Sequence, residues 1–293
     1  MSATIVCGID GSSDAQRAAS VAARLARDLR SRALVVHVEE DAHKRPLGFR
    51  WPRPGRAHRR RKVLRATAEE CCFPSDTDLL LRRGDPTVEL LALAEKEDAE
   101  LVVVAARGGG TVGPALVGGT ASALMGGCPC PVVVVPAKSI PPLDTEGMRS
   151  VVCAVEGSET DVRALRLAAD LAARLGGELH AVHGHVTREV PTHAEPAGWP
   201  DYERHTAAQR TLTLAVVQAG VDARRHVVPL PIHERVARQV RAGLTVVGPP
   251  GLGGPTPLAI RLAVEGSTAL VVLPARAALE TGSGHYELAA SPA

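Results

Sequence analysis

Apolar residues along the chain follow two rhythms: short unbroken runs, and longer stretches where they return every third or fourth position. Ile5 to Ile9 is the first run, and Asp10-Gly11 ends it, which predicts a buried strand. Ser13-x-x-Gln16 has the spacing of a capping box, so a helix is predicted to start with Ser13 as its cap. Ala18, Val21, Ala22, Leu25 and Leu29 then share one helical face. Leu34 to Val38 predicts the second strand and Leu79 to Leu81 a weak third. Asp85-Pro86 supplies a cap and a first-turn proline for a helix over Thr87 to Glu95. Leu101 to Val104 and Pro131 to Val135 are the fourth and fifth strands, with a small-residue helix around Ala121 to Met125 between them. Valine-rich runs alternating with helices predict a parallel sheet covered on both faces, hence an α/β fold.

The pattern then repeats. Ile5-Val6-Cys7-Gly8-Ile9-Asp10-Gly11-Ser12 returns as Val151-Val152-Cys153-Ala154-Val155-Glu156-Gly157-Ser158, an offset of 146 that holds without a gap to His37 and His183. Arg17 and Arg163, Leu25 and Leu171, and Leu29 and Leu175 match within it. Two repeated five-stranded domains are therefore expected, over residues 1–138 and 148–276. The Pro/Gly-bearing segment between them is a linker, and 277–293, without apolar periodicity, is expected to be a disordered tail.

Composition narrows the function classes. A net charge of +2 does not mark a nucleic-acid binder. Only six residues are aromatic, too few for a stacking platform along a single strand. No apolar run approaches the ~20 residues of a membrane span. The first residues carry no basic region or cleavage site, and the six cysteines form no CxxC pair, so reduced thiols and a cytoplasmic location are expected.

In a doubly wound sheet, ligands bind beyond the carboxyl ends of the strands, where strand order reverses. Two segments have suitable chemistry there. Asp10 follows the first strand. Ala105-Ala106-Arg107-Gly108-Gly109-Gly110 follows the fourth, with Gly118-Gly119-Thr120 opening a helix. Glycines let backbone approach a phosphate, and a helix N-terminus offers it free amides. A flexible connection would use the same residues.

Asp10-Gly11-Ser12 at the end of strand one, Gly84-Asp85-Pro86 before a helix, the glycine loop after Val104 and Cys130-Pro131 before Val132 to Val135 together resemble the universal stress protein family. The resemblance spans the whole chain as a tandem pair. It implies five-stranded parallel α/β sandwich domains, of the adenine nucleotide alpha hydrolase-like kind, and a site for ATP or another adenine nucleotide. The family loop, G-x2-G-x9-G-[S/T], falls on Ala105, Gly108, Gly118 and Gly119 with its spacing intact. Two residue types differ. Ala105 would be strained if φ is positive there. Gly119 lacks the hydroxyl that donates to a phosphate, a loss of about 1–2 kcal/mol; Thr120 is a substitute one position on. Asp10 matches the family residue near the nucleoside, and Val38 a strand-two position whose backbone contacts adenine. No metal is expected beyond nucleotide-associated Mg.

The second copy departs further. Its third and fourth strands align at offset 143 and its fifth at 138, so five residues are missing where the loop should be. Gly248-Pro249-Pro250-Gly251 keeps the first half of the motif, but nine residues later stand Arg261-Leu262. Glu156 replaces Asp10, and Val227-Val228 replaces Gly84-Asp85. This copy is expected to pack on the first. Family members often dimerise through strand five, and a tandem chain can pair Val132 to Val135 with Leu270 to Leu273 internally; homodimerisation remains a further expectation.

Other features are weighed against plainer readings. Residues 44–65 hold ten basic side chains and no acidic one, a solvated loop and helix face or a patch for nucleic acid or an acidic partner. Phe49, Trp51, Trp199 and Tyr202 follow the second strands as loop anchors or a lid. His180 points away from His183 and His185, which disfavours a three-histidine metal site. Cys128-Pro129-Cys130 is a redox pair or, as the position before the last strand suggests, buried thiols; Cys71-Cys72 ends a helix as structural cysteines. No G-x4-G-K-[S/T], G-x-S-x-G, Ser-Gly-Gly-x-Asp-Ser or His-x-Gly-His signature occurs, and no general base stands out, so no enzymatic activity is expected. The expected function is a stress-response sensor or regulatory binding module with a degenerate nucleotide site in its first domain. The competing reading is an interaction protein that binds no nucleotide, or one that uses the basic segment.

Overall fold

The computed structural model of the chain describes residues 3–40, 56–109, 116–137, 150–185, 199–229, 242–248 and 256–273. Its first half runs β1 (Thr4–Ile9), α1 (Ser13–Asp28), β2 (Arg32–Glu39), α2 (Arg56–Glu70), β3 (Asp78–Arg83), α3 (Pro86–Lys96), β4 (Ala99–Ala105), α4 (Gly119–Gly127) and β5 (Val132–Val135). The second half runs β6 (Ser150–Val155), α5 (Asp161–Arg174), β7 (Glu178–His185), α6 (Trp199–Ala219), β8 (Arg224–Pro229), β9 (Leu244–Val247), α7 (Pro257–Glu265) and β10 (Ala269–Val272). The expected tail, the linker, Phe49, Trp51 and most of the basic segment before α2 lie outside the described residues.

All ten strands form one sheet in the order β3-β2-β1-β4-β5-β10-β9-β6-β7-β8. Pairing within each half is parallel, and each half has the same doubly wound order. The halves join where β5 meets β10 antiparallel, with Val133 opposite Val271 and Val134 opposite Leu270. The two fifth strands thus pair within the chain.

Strand alternation divides the core. Ile5, Cys7, Val103, Val133, Val135, Val246 and Val271 face α1, α5, α6 and Leu64 of α2. Val6, Val36, Val102, Val104, Val132, Val134, Leu270 and Val272 face α3, α4 and α7. Both apolar layers cross the β5–β10 seam, so the halves share burial as well as a sheet. The outer strands β3 and β8 carry Arg82, Arg83, Arg224 and Arg225, charges that oppose further edge pairing.

Two local expectations need correction. The cap of α1 is Ser12, whose Oγ accepts from Ala15 N at 3.1 Å, and Ser13 is already helical. Gln16 does not reach back; its Nε2 donates to Glu70 Oε2 on α2 at 2.5 Å. Gly11, at φ 85°, turns the chain sharply enough that the first of the two serines meets the open amides. Trp199 and Tyr202 stand in the first turn of α6 rather than in an anchoring loop, and Tyr202 is exposed.

Candidate functional site

The strand order reverses between β1 and β4, and the two segments expected to form a site meet at their carboxyl ends. Asp10 Oδ2 accepts from Gly109 N at 2.6 Å, and Asp10 Oδ1 from Ser12 N at 2.9 Å. Burial at the strand end pushes the Asp10 carboxyl up, but hydrogen bonds from Ser12 and Gly109 outweigh it and hold the carboxyl below its ordinary range.

The glycines around this contact have separate roles. A Cβ at Gly108 would lie 2.5 Å from Asp10 Oδ2, so only glycine lets the loop come this close. Gly118 N donates to Ala106 O at 2.7 Å, while Ala106 N donates to Val135 O at 2.8 Å. These bonds pin the far end of the loop to the strand end and aim the start of α4 at the same place. Gly118 is the cap of α4 and offers no side-chain bond. Among the described residues, apart from its chain neighbours and its own helix backbone, nothing lies within 4 Å of where a side chain at Gly119 would begin. Thr120, half-buried, follows in the first turn. Ala105 is the last residue of β4, in register with Val135, so its backbone is extended and the strain considered for it does not arise.

Val38 lies on β2, opposite Arg82 of β3, with β1 between it and the glycine loop. A cleft of about 190 Å³ opens beside the Asp10 turn, lined by Gly11, Ser12, Gln16, Val63, Thr67 and Glu70 among others. That is below the ~300–1,000 Å³ usual for ligand pockets, so it would hold only part of a nucleotide.

Cationic groups border the site. Arg17 pairs with Asp14 and also donates to Ala137 O at 3.0 Å, and Arg107 Nε lies 3.9 Å from Asp14 Oδ2. From α2, Arg60 Nη1 lies 2.5 Å from His37 Nε2. Burial lowers the His37 pKa, and the Arg60 charge lowers it further, which keeps the imidazole neutral as an acceptor. Arg59, Arg61, Lys62 and Arg65 of the same helix are exposed.

The second half closes the equivalent turn differently. Asp161, 1% exposed, accepts through Oδ2 from the backbone N–H groups of Glu156 (3.1 Å), Gly157 (2.7 Å) and Ser158 (2.7 Å). Its counterpart in the first half is Ala15. Burial, then the Asp161 charge, raises the Glu156 carboxyl. Arg261 and Leu262 need correcting as counterparts of the second glycine pair: they lie mid-helix in α7. The shortened loop makes a count from its front overshoot. Thr256 and Pro257 stand at the helix start, where the fifth-strand offset of 138 places Gly118 and Gly119. The Thr256 hydroxyl is spent capping Ala259 N at 3.0 Å, and Pro257 has no N–H to offer.

The histidines also sort differently from a metal cluster. His183 Nδ1 bonds to Val155 O at 2.6 Å, and His180 Nδ1 meets His226 Nε2 at 3.0 Å, a partner not anticipated from the sequence. Among the described residues no group of three His, Cys, Asp or Glu side chains is placed to hold a metal. Among them, too, no helix is long and apolar enough to cross a membrane.

Comparisons with known proteins agree with this architecture. The model of the universal stress protein family matches residues 1–136 and 147–273. A universal stress protein of Thermus aquaticus is 37% identical over 135 residues, covering 45% of this chain and 97% of that one. A universal stress protein of Mycobacterium tuberculosis is 31% identical over 168 residues, covering 54% and 55% of the two chains. The crystal structure of a universal stress protein from Archaeoglobus fulgidus superposes with a TM-score of 0.61 at 14% identity, over 93% of this chain and 98% of that one. At that identity the likeness concerns the fold alone.

Proposed function

The chain belongs to the universal stress protein family as a tandem pair, and on that premise we propose that it is a regulatory binding module with one adenine-nucleotide site, in its first domain. The domains of this reading are residues 1–138 and 148–276. The observation that carries it is the Asp10–Gly109 hydrogen bond, which joins the two site-bearing loops at the switch point. Asp10 would accept from a ribose hydroxyl. The amide of Gly119 would donate to a phosphate oxygen, with Thr120 supplying a hydroxyl and Gly108 and Gly118 admitting close approach. Ala105 would shape the strand end, and Val38 would present backbone to the base. Any Mg would arrive with the nucleotide. The chain's part is to bind and to bias loop conformations that a partner reads, with no catalytic step assigned to a residue.

The second domain would be a scaffold: Asp161 fills its first loop, and Thr256-Pro257 withholds both hydroxyl and amide. Calorimetric titration with ATP, ADP and AMP tests the reading. One nucleotide per chain is expected with Kd below about 1 mM, weakened roughly tenfold in Asp10→Ala. If none of the three binds more tightly than about 1 mM, the nucleotide reading is wrong.

The exposed row Arg59, Arg61, Lys62 and Arg65 on α2 favours a second reading, association with nucleic acid or an acidic partner. Retention on DNA or RNA should then fall steeply with salt, and a flat response would reject it.

A further inference from the structure

The turn from α4 into β5 carries two thiols in contact. Cys128 Sγ and Cys130 Sγ lie 3.7 Å apart; Cys128 is fully buried and Cys130 is 8% exposed. Cys128 is the C-cap of α4, with its N–H donating to Leu124 O, and Cys130 leads through Pro131 into the strand that joins the two domains.

The second domain is an internal control for what this turn requires. At the same offset, Gly266 stands for Cys128 and Thr268 for Cys130. Gly266 caps α7 with φ −63° and ψ 152°, close to the −68° and 143° of Cys128. Thr268 bonds to the Thr245 hydroxyl instead. The backbone therefore takes this path with no sulfur at either position, and the thiol pair is not a demand of the fold.

The two sulfurs are also unequal. Either thiol could donate in this contact; with Cys130 as the donor, the bond lowers the Cys128 pKa despite burial. The same bond, and then burial, holds the Cys130 proton firmly. Cys7 and Cys153 are fully buried, and burial pushes both far up. Closing the pair to a bond of about 2.05 Å asks each sulfur to move by less than about 1 Å.

We propose that Cys128 and Cys130 form a reversible oxidation site that closes to an intramolecular disulfide, with Cys128 the attacking sulfur and a small hydroperoxide the oxidant. The Cys128 sulfur attacks one peroxide oxygen, the O–O bond breaks, and the other oxygen leaves with a proton as alcohol or water. Cys128 is then a sulfenic acid. The Cys130 sulfur attacks it, an S–S bond forms, the S–O bond breaks, and the hydroxyl leaves with the Cys130 proton as water. Two electrons pass from the thiols to the peroxide, and an external dithiol returns them by exchange. Cys128 is fully buried, so the peroxide reaches its sulfur by local opening of the turn. This site does not depend on nucleotide binding.

Trypsin isolates the question, because the peptide Gly108–Lys138 holds these two cysteines and no other, while Cys7 and Cys153 fall in Met1–Arg17 and Ser150–Arg163. The folded full chain is treated with hydrogen peroxide, denatured, alkylated and digested. The expected product is Gly108–Lys138 unalkylated and about 2 Da lighter, restored by dithiothreitol, while Cys7 and Cys153 remain fully alkylated. In Cys130→Ala the light peptide should vanish and Cys128 should be trapped by a sulfenic-acid reagent. In Cys128→Ala, Cys130 should stay alkylatable. The proposal is overturned if the peptide remains doubly alkylated when the exposed Cys72 has already oxidised. It is overturned equally if the light product persists in either variant. Circular dichroism under reductant, unchanged from the parent, secures the reading of both variants.

Discussion

The turns after β1 and after β6 descend from the same repeated sequence, yet they satisfy their backbone amides in opposite ways. In the first domain one carboxylate, Asp10, reaches across ninety-nine positions to Gly109 while also holding Ser12. In the second, Asp161 takes three amides of its own turn, with no bond to another loop among the described residues. A local seal makes a turn self-sufficient. A bond between two loops makes each conditional on the other, and groups that a ligand would use remain at the surface. The difference separates a turn built for stability from one available for exchange.

Removing the local seal should have the largest effect. Asp161→Ala leaves three amides to water at a half-closed turn, and a loss of about 3 kcal/mol is expected in denaturant unfolding. A loss under about 1 kcal/mol would mean the turn does not lean on the carboxylate. The reciprocal Ala15→Asp should also destabilise, by about 1 kcal/mol, because Asp10 already holds Ser12 and Asp14 adds like charge nearby. If it stabilised the protein, the two turns would be more alike than their bonds suggest.

Next comes the bond between loops. Gly108→Ala places a methyl 2.5 Å from Asp10 Oδ2, so the carboxylate must leave Gly109. A cost of about 2 kcal/mol is expected. In an Asp10→Ala background the same substitution should cost far less, giving a coupling of about 1–2 kcal/mol in a double-mutant cycle. Additive costs would show that the glycine serves something other than this contact. Thr256→Ala, at the start of α7, should lose about 1 kcal/mol as an N-cap. If it lost nothing, the hydroxyl would be free in the second domain, and the contrast with Gly118 would weaken.

Much of this was legible in the sequence, for physical reasons. Unbroken valine runs can be satisfied only by burial on both faces, so the strands and their parallel pairing followed, and the repeat carried them to the second half. The Asp10–Gly109 meeting followed from the switch-point rule without any motif. What was missed depended on competition between neighbours. Ser12 and Ser13 are equally good caps, and only the turn at Gly11 decides between them. The start of α6 at Trp199 was hidden because Pro200 and the aromatics beside it read as loop, although proline is well tolerated in a first helical turn. Asp161 sits three residues beyond Ser158, where its carboxylate can fold back over Gly157, but nothing in an acidic first-turn residue announces three bonds. Thr256 was obscured by the shortened loop, which moved the helix start relative to a count from its front.

The smallest effect is the most selective test of the two turns, because it changes sign between them. The Asp10 carboxyl is held below its ordinary range, so its contribution is present above the unfolded value of about 3.9 and is lost as pH falls through the folded value. Glu156 is raised, by burial and then by Asp161. Its contribution is therefore complete below the unfolded value of about 4.3 and is lost as pH rises through the folded one. Glu156→Gln removes that loss and should stabilise the protein near neutral pH by about 0.5 kcal/mol or less, since water screens a half-exposed carboxyl. The gain should disappear in acid, whereas Asp10→Asn should cost most at neutral pH and least in acid. Denaturation midpoints of both variants across pH 3–8 check this. Parallel rather than opposed curves would mean that neither burial nor Asp161 raises Glu156, and that the two turns titrate as one design.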